Sequence, residues 1–138
     1  MADTRRAPSQ GGPARLLVAV YAVFALAATA RASYQILTRF DEAPLAYLLS
    51  AFAGVVYIIA TVAMARPGRA AQRVAVVSCT VELVGVLLVG AASLLAPGAF
   101  PDDTVWSRFG SGYAFLPLVL PILGLLWLRR SGRVPSRA

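Results

Sequence analysis

The chain has 138 residues, 59% of them hydrophobic and 14% charged, with a formal net charge of +7. Soluble domains carry about a quarter charged residues, so this composition excludes an ordinary small soluble domain and implies the bilayer as a second apolar solvent. Every basic residue is arginine and histidine is absent, which removes the usual pH switch and the commonest metal ligand.

Residues 1–14, "MADTRRAPSQGGPA", are polar and rich in Pro, Gly and Ser, the composition of a disordered tail. Four apolar segments follow over about 16–37, 44–65, 74–96 and 112–128, making a transmembrane domain over 15–130. Residues 131–138 form a basic C-tail. Each segment approaches the ~20 residues a helix needs to cross ~30 Å of hydrocarbon. Backbone groups in lipid must be satisfied within the chain, so the segments are expected as helices. The fold expected is an all-α, integral-membrane four-helix bundle with both termini cytoplasmic.

The connections carry helix-end chemistry. "RFDEAP" places Asp41 and Pro44 at the start of the second helix, and Pro67 and Gly68 in "ARPGRAAQR" stop it. "APGAFPDD" ends the third helix in the same way. Orientation follows from the arginines. Arg5, Arg6, Arg15, Arg66, Arg69, Arg73, Arg129, Arg130, Arg133 and Arg137 fall on one side of a four-span arrangement. Only Arg39 and Arg108 fall in the opposite loops, beside Asp41, Glu42, Asp102 and Asp103. The positive-inside rule makes the arginine-rich side cytoplasmic, in a multi-pass plasma-membrane protein. The basic charge is thereby read as topology, with no nucleic-acid partner. The first span also has the basic start, apolar stretch and small residues of a signal peptide. The apolar character resumes between Arg31 and Leu37, which favours an uncleaved span.

Glu82 stands about nine residues into the third span, ~14 Å at 1.5 Å per residue, close to the bilayer midplane. An ionised acid facing lipid there costs roughly 2.5–3.5 kcal/mol on insertion scales. Glu82 is therefore expected to face the bundle, to be protonated, or both. It is either a proton or cation site or an interhelical hydrogen bond. In the second span Tyr47, Ser50, Gly54, Tyr57 and Thr61 are spaced three, four, three and four. This seam of polar and small residues turns toward other helices, and Tyr57 falls at a depth where it can partner Glu82. Ala25, Ala28 and Ala32 form a small-residue seam on the first span, and Ser78, Glu82 and Gly85 share a face of the third. Arg31, with Tyr34, Gln35 and Thr38, makes a polar stripe near the outer end of the first span. Its depth differs from that of Glu82 by ~10 Å, which favours snorkelling or outer-loop carboxylates over a direct pair. The candidate intramembrane site is thus Glu82, Tyr57, Arg31, Gln35 and Tyr34.

The loop "FPDDTVWSRFGSGY" is expected to form a short interfacial helix or lid, with Asp102, Asp103, Trp106 and Arg108 as its candidate residues. Trp106 and Phe109 are expected at the headgroup level. Two adjacent acids are too few for a confident cation site. Pro117 and Pro121 are expected within the fourth span, each freeing a carbonyl one turn earlier. Cys79 is the single cysteine and reads as a packing residue. No His accompanies a Ser or Cys nucleophile and no phosphate-binding Gly-rich loop occurs. No enzyme activity, cofactor or metal is therefore expected.

Segments such as "EAPLAYLLSAFAGVVYIIAT", "VELVGVLLVG" and "FPDDTVWSRFGSGYAFLPLVLPILGLLWL" resemble a group of small integral membrane proteins of actinobacteria. That resemblance implies four spans and a plasma-membrane location, with no assigned activity. A weaker similarity is to small multidrug-resistance transporters, four-span proteins whose essential membrane glutamate is in the first helix; here it is in the third, and no residue is carried over. The expected role is that of a non-enzymatic accessory or partner-binding subunit, acting through a membrane-protein partner or as a homo-oligomer in the lipid bilayer. The alternative is a small proton-coupled transporter using Glu82.

Overall fold

A computed structural model describes residues 12–133. Four helices follow in order: α1 (Gly12–Arg39), α2 (Pro44–Ala65), α3 (Arg69–Leu95) and α4 (Leu116–Arg133). No strand occurs among the described residues. The tail residues 1–11 and 134–138, with Arg5, Arg6 and Arg137, lie outside the described part.

The bundle is apolar on its outside and small or polar within. Leu26, Leu37 and Leu88 are 73%, 83% and 65% exposed, in a belt continued by many other Leu, Ile and Val side chains. The interior holds Tyr21, Tyr47, Tyr57 and Glu82 among alanines. A soluble protein would place these classes the other way round. In lipid, apolar side chains gain nothing by meeting one another, and helices associate through close backbone approach and polar contacts. The protein is thus an all-α integral membrane bundle with several spans.

Small residues set the α1–α2 contact. Ala25, Ala28 and Ala32 are buried, as are Ser50, Ala53, Gly54 and Tyr57 on α2. A Cβ on Gly54 would fall 2.9 Å from Thr29 Oγ1 and 3.3 Å from Thr29 Cα, so only glycine lets the two backbones come this close. α3 packs on both α2 and α4, whereas α1 and α4 touch little.

The ends differ from the sequence expectation in three places. α1 starts at Gly12, inside the stretch read as tail, and α3 starts at Arg69 rather than near residue 74. Apolar runs mark where a helix enters lipid, while the helix itself continues through polar residues outside it. The third difference has more consequence. α4 begins at Leu116, not near residue 112. Its apolar part, 116–128, is ~20 Å long at 1.5 Å per residue, too short to cross alone. Tight turns over Ser107–Tyr113 precede it and meet α4 at a bend of 97°, and the two together are long and apolar enough for one broken span. Arg108, Phe109, Ala114 and Phe115 there have positive φ, a left-handed conformation costing of order 1 kcal/mol each in residues with a Cβ. Pro117 therefore stands in the first turn of α4, where its missing N–H leaves no bond unmade, and only Pro121 is internal.

Candidate functional site

Irregular backbone packed inside a membrane bundle must have its polar groups satisfied by the protein, and the 104–108 stretch meets that requirement. Thr104, Val105, Trp106 and Ser107 are all buried. Local side-chain bonds replace helix bonds: the Thr104 N–H donates to Ser107 Oγ at 2.8 Å, and the Trp106 N–H to Thr104 Oγ1 at 3.0 Å. The Arg108 N–H donates to Ser93 Oγ of α3 at 2.8 Å. Two glycines of α3 receive the lid's rings. A Cβ on Gly85 would fall 2.5 Å from Trp106 Cζ3, and one on Gly90 2.4 Å from Phe109 Cδ1.

Trp106 is accordingly not open to lipid or water. It is 1% exposed, and its Nε1–H donates to Tyr57 Oη at 3.0 Å. Of the two forms expected for this loop, a short interfacial helix or a lid, it takes the lid, packed into the bundle. Composition pointed to an interfacial tryptophan, but the short α4 draws the loop inward.

The two lid acids separate. Asp102 accepts from Tyr47 Oη at 2.9 Å and lies 3.6 Å from the Arg39 guanidinium. Asp103 pairs instead with Arg108 of its own loop at 2.9 Å. They do not converge on a cation, and no group of metal-binding side chains occurs among the described residues. Burial works against ionisation of Asp102, but the bonds from Tyr47 and the Asp103 amide, with Arg39 and Arg31, outweigh it and hold its pKa below the usual carboxylate value.

Beneath the lid, Glu82 is wholly buried. Its Oε1 accepts a hydrogen bond from Tyr21 Oη at 2.9 Å, and Oε2 is buried without a partner. Tyr21 Oη also lies 3.6 Å from Cys79 Sγ. Tyr57, the partner expected from depth, is instead committed to Trp106 and meets the Tyr21 ring edge-on at a centroid distance of 6.1 Å. Phe24 joins this aromatic layer, 5.7 Å from both Tyr57 and Tyr113.

Arg31 does not pair with Glu82. It is exposed and donates to Tyr113 Oη, between α1 and the foot of the lid. The expected polar stripe divides around the helix: Gln35 is 3% exposed and faces the bundle, while Tyr34 is 63% exposed. Tyr34 thus leaves the intramembrane set, and Tyr21 enters it. A sequence signal for Tyr21 existed. Extending the Ala25, Ala28, Ala32 seam by four residues back and three forward gives Tyr21 and Gln35, both buried.

At the opposite end of the bundle from the lid, a cavity of about 560 Å³ opens among α1, α2 and α4. Arg15, Arg66, Val18, Met64, Trp127 and Leu128 line it. Met64 also meets Gly124 of α4. A Cβ there would lie 3.0 Å from Met64 Cε, 2.9 Å from Cys79 Sγ and 3.5 Å from Tyr21 Oη. The Met64 side chain therefore borders the cavity and reaches toward the Tyr21–Cys79 contact.

The arrangement can hold a proton at a buried carboxyl, with a plug packed on one side and a cavity opening at the far end of the bundle. The chain matches no protein-family model, no curated protein and no solved structure.

Proposed function

We propose that this is a small, non-enzymatic, multi-pass plasma-membrane protein with both termini in the cytoplasm, and that Glu82 is the proton-binding group of a carrier. The observation that carries this reading is the second oxygen of Glu82. A buried polar atom without a partner costs about 1–3 kcal/mol, and an unpaired buried charge costs more. The neutral acid is the less costly state, and among the described residues no arginine forms an ion pair with it. The Tyr21 bond joins α1 to α3 through one oxygen and leaves the other free to carry a proton. Intramembrane acids generally mark proton or ion routes.

The surrounding geometry supports a direction. Trp106 and Phe109 pack on α3 on the lid side of the site, and the cavity opens at the other end, where α1 begins and α4 ends. With the arginine-rich end cytoplasmic, this is an arrangement closed outward with a cavity opening inward. The accessory-subunit reading has less support. It drew on small-residue seams free to meet another protein, and those seams are used within the chain, between α1 and α2.

Proton movement into liposomes containing the purified protein, read with an internal pH dye across a panel of candidate solutes, tests the proposal. Solute-dependent proton flux in the wild type should vanish in Glu82→Gln. Flux that never depends on Glu82 would remove the carrier reading.

A further inference from the structure

The cavity at the inner end has a chemistry of its own. Its mouth holds Arg15 of α1 and Arg66 at the end of α2, and neither pairs with a carboxylate among the described residues. Gly68, which precedes α3, also lines it. That helix end has no side-chain cap and no acidic residue in its first turn. The two guanidinium groups thus carry the positive charge at this opening, with the start of α3 offset by the carbonyl end of α2 at Ala65. Deeper in, the walls are Val18, Met64, Trp127 and Leu128, with no acid among them.

We propose that this cavity binds a single-chain anionic amphiphile, with a carboxylate-like head on Arg15 and Arg66 and an apolar tail lying along Trp127 toward Met64. Charge complementarity selects the head: arginine forks bind carboxylate and phosphate in bidentate geometry. The apolar walls select the tail. A volume of about 560 Å³ is in the range of small-molecule sites and leaves no room for both chains of a membrane phospholipid. α1 and α4 touch little, so the tail has a lateral way in from the lipid leaflet. The inference rests on the carrier reading and deepens it by naming its substrate class, since the tail would end at Met64, the cavity residue that reaches toward Tyr21 and Cys79.

Bromine quenches indole emission on contact, and Trp127 is in the cavity wall while Trp106 is in the lid. The full chain in nanodiscs of phosphatidylcholine should show saturable quenching by 11-bromoundecanoate. Trp127→Phe should abolish the saturable component although Trp106 remains. Arg15→Gln with Arg66→Gln should weaken binding by roughly tenfold or more, as expected when charge-assisted bonds are lost. An unchanged melting profile, read by dye access to Cys79, would show that the double variant is folded. Equal saturable quenching by the neutral 11-bromoundecanol would overturn the proposal. So would quenching that never saturates, or that ignores the two arginines. Arginine-dependent quenching by brominated phosphatidylglycerol would overturn the single-chain assignment. Binding is read here without transport. A protein that binds the carboxylate yet shows no Glu82-dependent proton flux keeps this site and loses the carrier reading.

Discussion

Removing the Tyr21 hydroxyl separates two accounts of Glu82. In Tyr21→Phe the ring still meets Tyr57, but Oε1 loses the 2.9 Å bond and both carboxyl oxygens lack a donor. Interhelical hydrogen bonds in membrane proteins are worth ~0.6 kcal/mol on average and up to ~1.7. Bonds to a charged group reach about 1.5–3 kcal/mol. A double-mutant cycle of Tyr21→Phe with Glu82→Leu therefore reads the protonation state as well as the bond. The neutral acid predicts a coupling of about 1 kcal/mol, and each single change should lower the melting temperature by a few degrees. Cys79 supplies the assay, because it is buried and is the only cysteine. A thiol-reactive dye labels it only as the bundle opens. A coupling below about 0.3 kcal/mol would refute the Tyr21–Glu82 bond, and one above about 2 kcal/mol would refute the neutral acid.

Gly85→Leu should expel the Trp106 ring from its seat, seen as a red shift of tryptophan emission and easier proteolysis of the 101–115 segment. Tyr57→Phe removes the acceptor of the Trp106 Nε1–H, and should loosen the lid by about 1 kcal/mol in the same assays. Asp102 has its pKa lowered in the fold, so its contribution is complete above the ordinary carboxylate pKa and fades as pH falls through the folded value. Acid should therefore release the lid in the wild type, while Asp102→Asn should show a weak lid with little dependence on acid pH. For topology, a C-terminal green-fluorescent fusion should glow and a C-terminal alkaline-phosphatase fusion should be inactive in cells; the reverse would overturn the orientation.

The helices were legible because lipid imposes a length and a composition. α2 matches its expected 44–65 limits, with Pro44 at its start. The buried faces were legible too: the Tyr47 to Tyr57 seam and the alanine seam of α1 point inward as their spacing requires. The lid was not. Its course depends on where α4 starts, and four left-handed residues carrying a Cβ decide that. Nothing in their side chains announces such a turn, as a run of glycines would. The partner of Glu82 was missed for a different reason. Depth counting ranked Tyr57 first, but Trp106 enters from a loop and occupies the Tyr57 hydroxyl, leaving Glu82 to Tyr21. Depth did account for Arg31, which finds Tyr113 rather than the buried acid.

Glu42 and Glu82 are the only glutamates, so glutamate carrying ¹³C in its side-chain carboxyl gives a single signal from the Glu42→Gln protein. In membranes, that signal should begin at the position of a neutral acid and move reversibly to that of a carboxylate as pH is raised, with Trp106 emission unchanged. A signal fixed at the carboxylate position, or one that moves only when the fold is lost, would contradict the claim that Glu82 exchanges a proton inside the intact bundle.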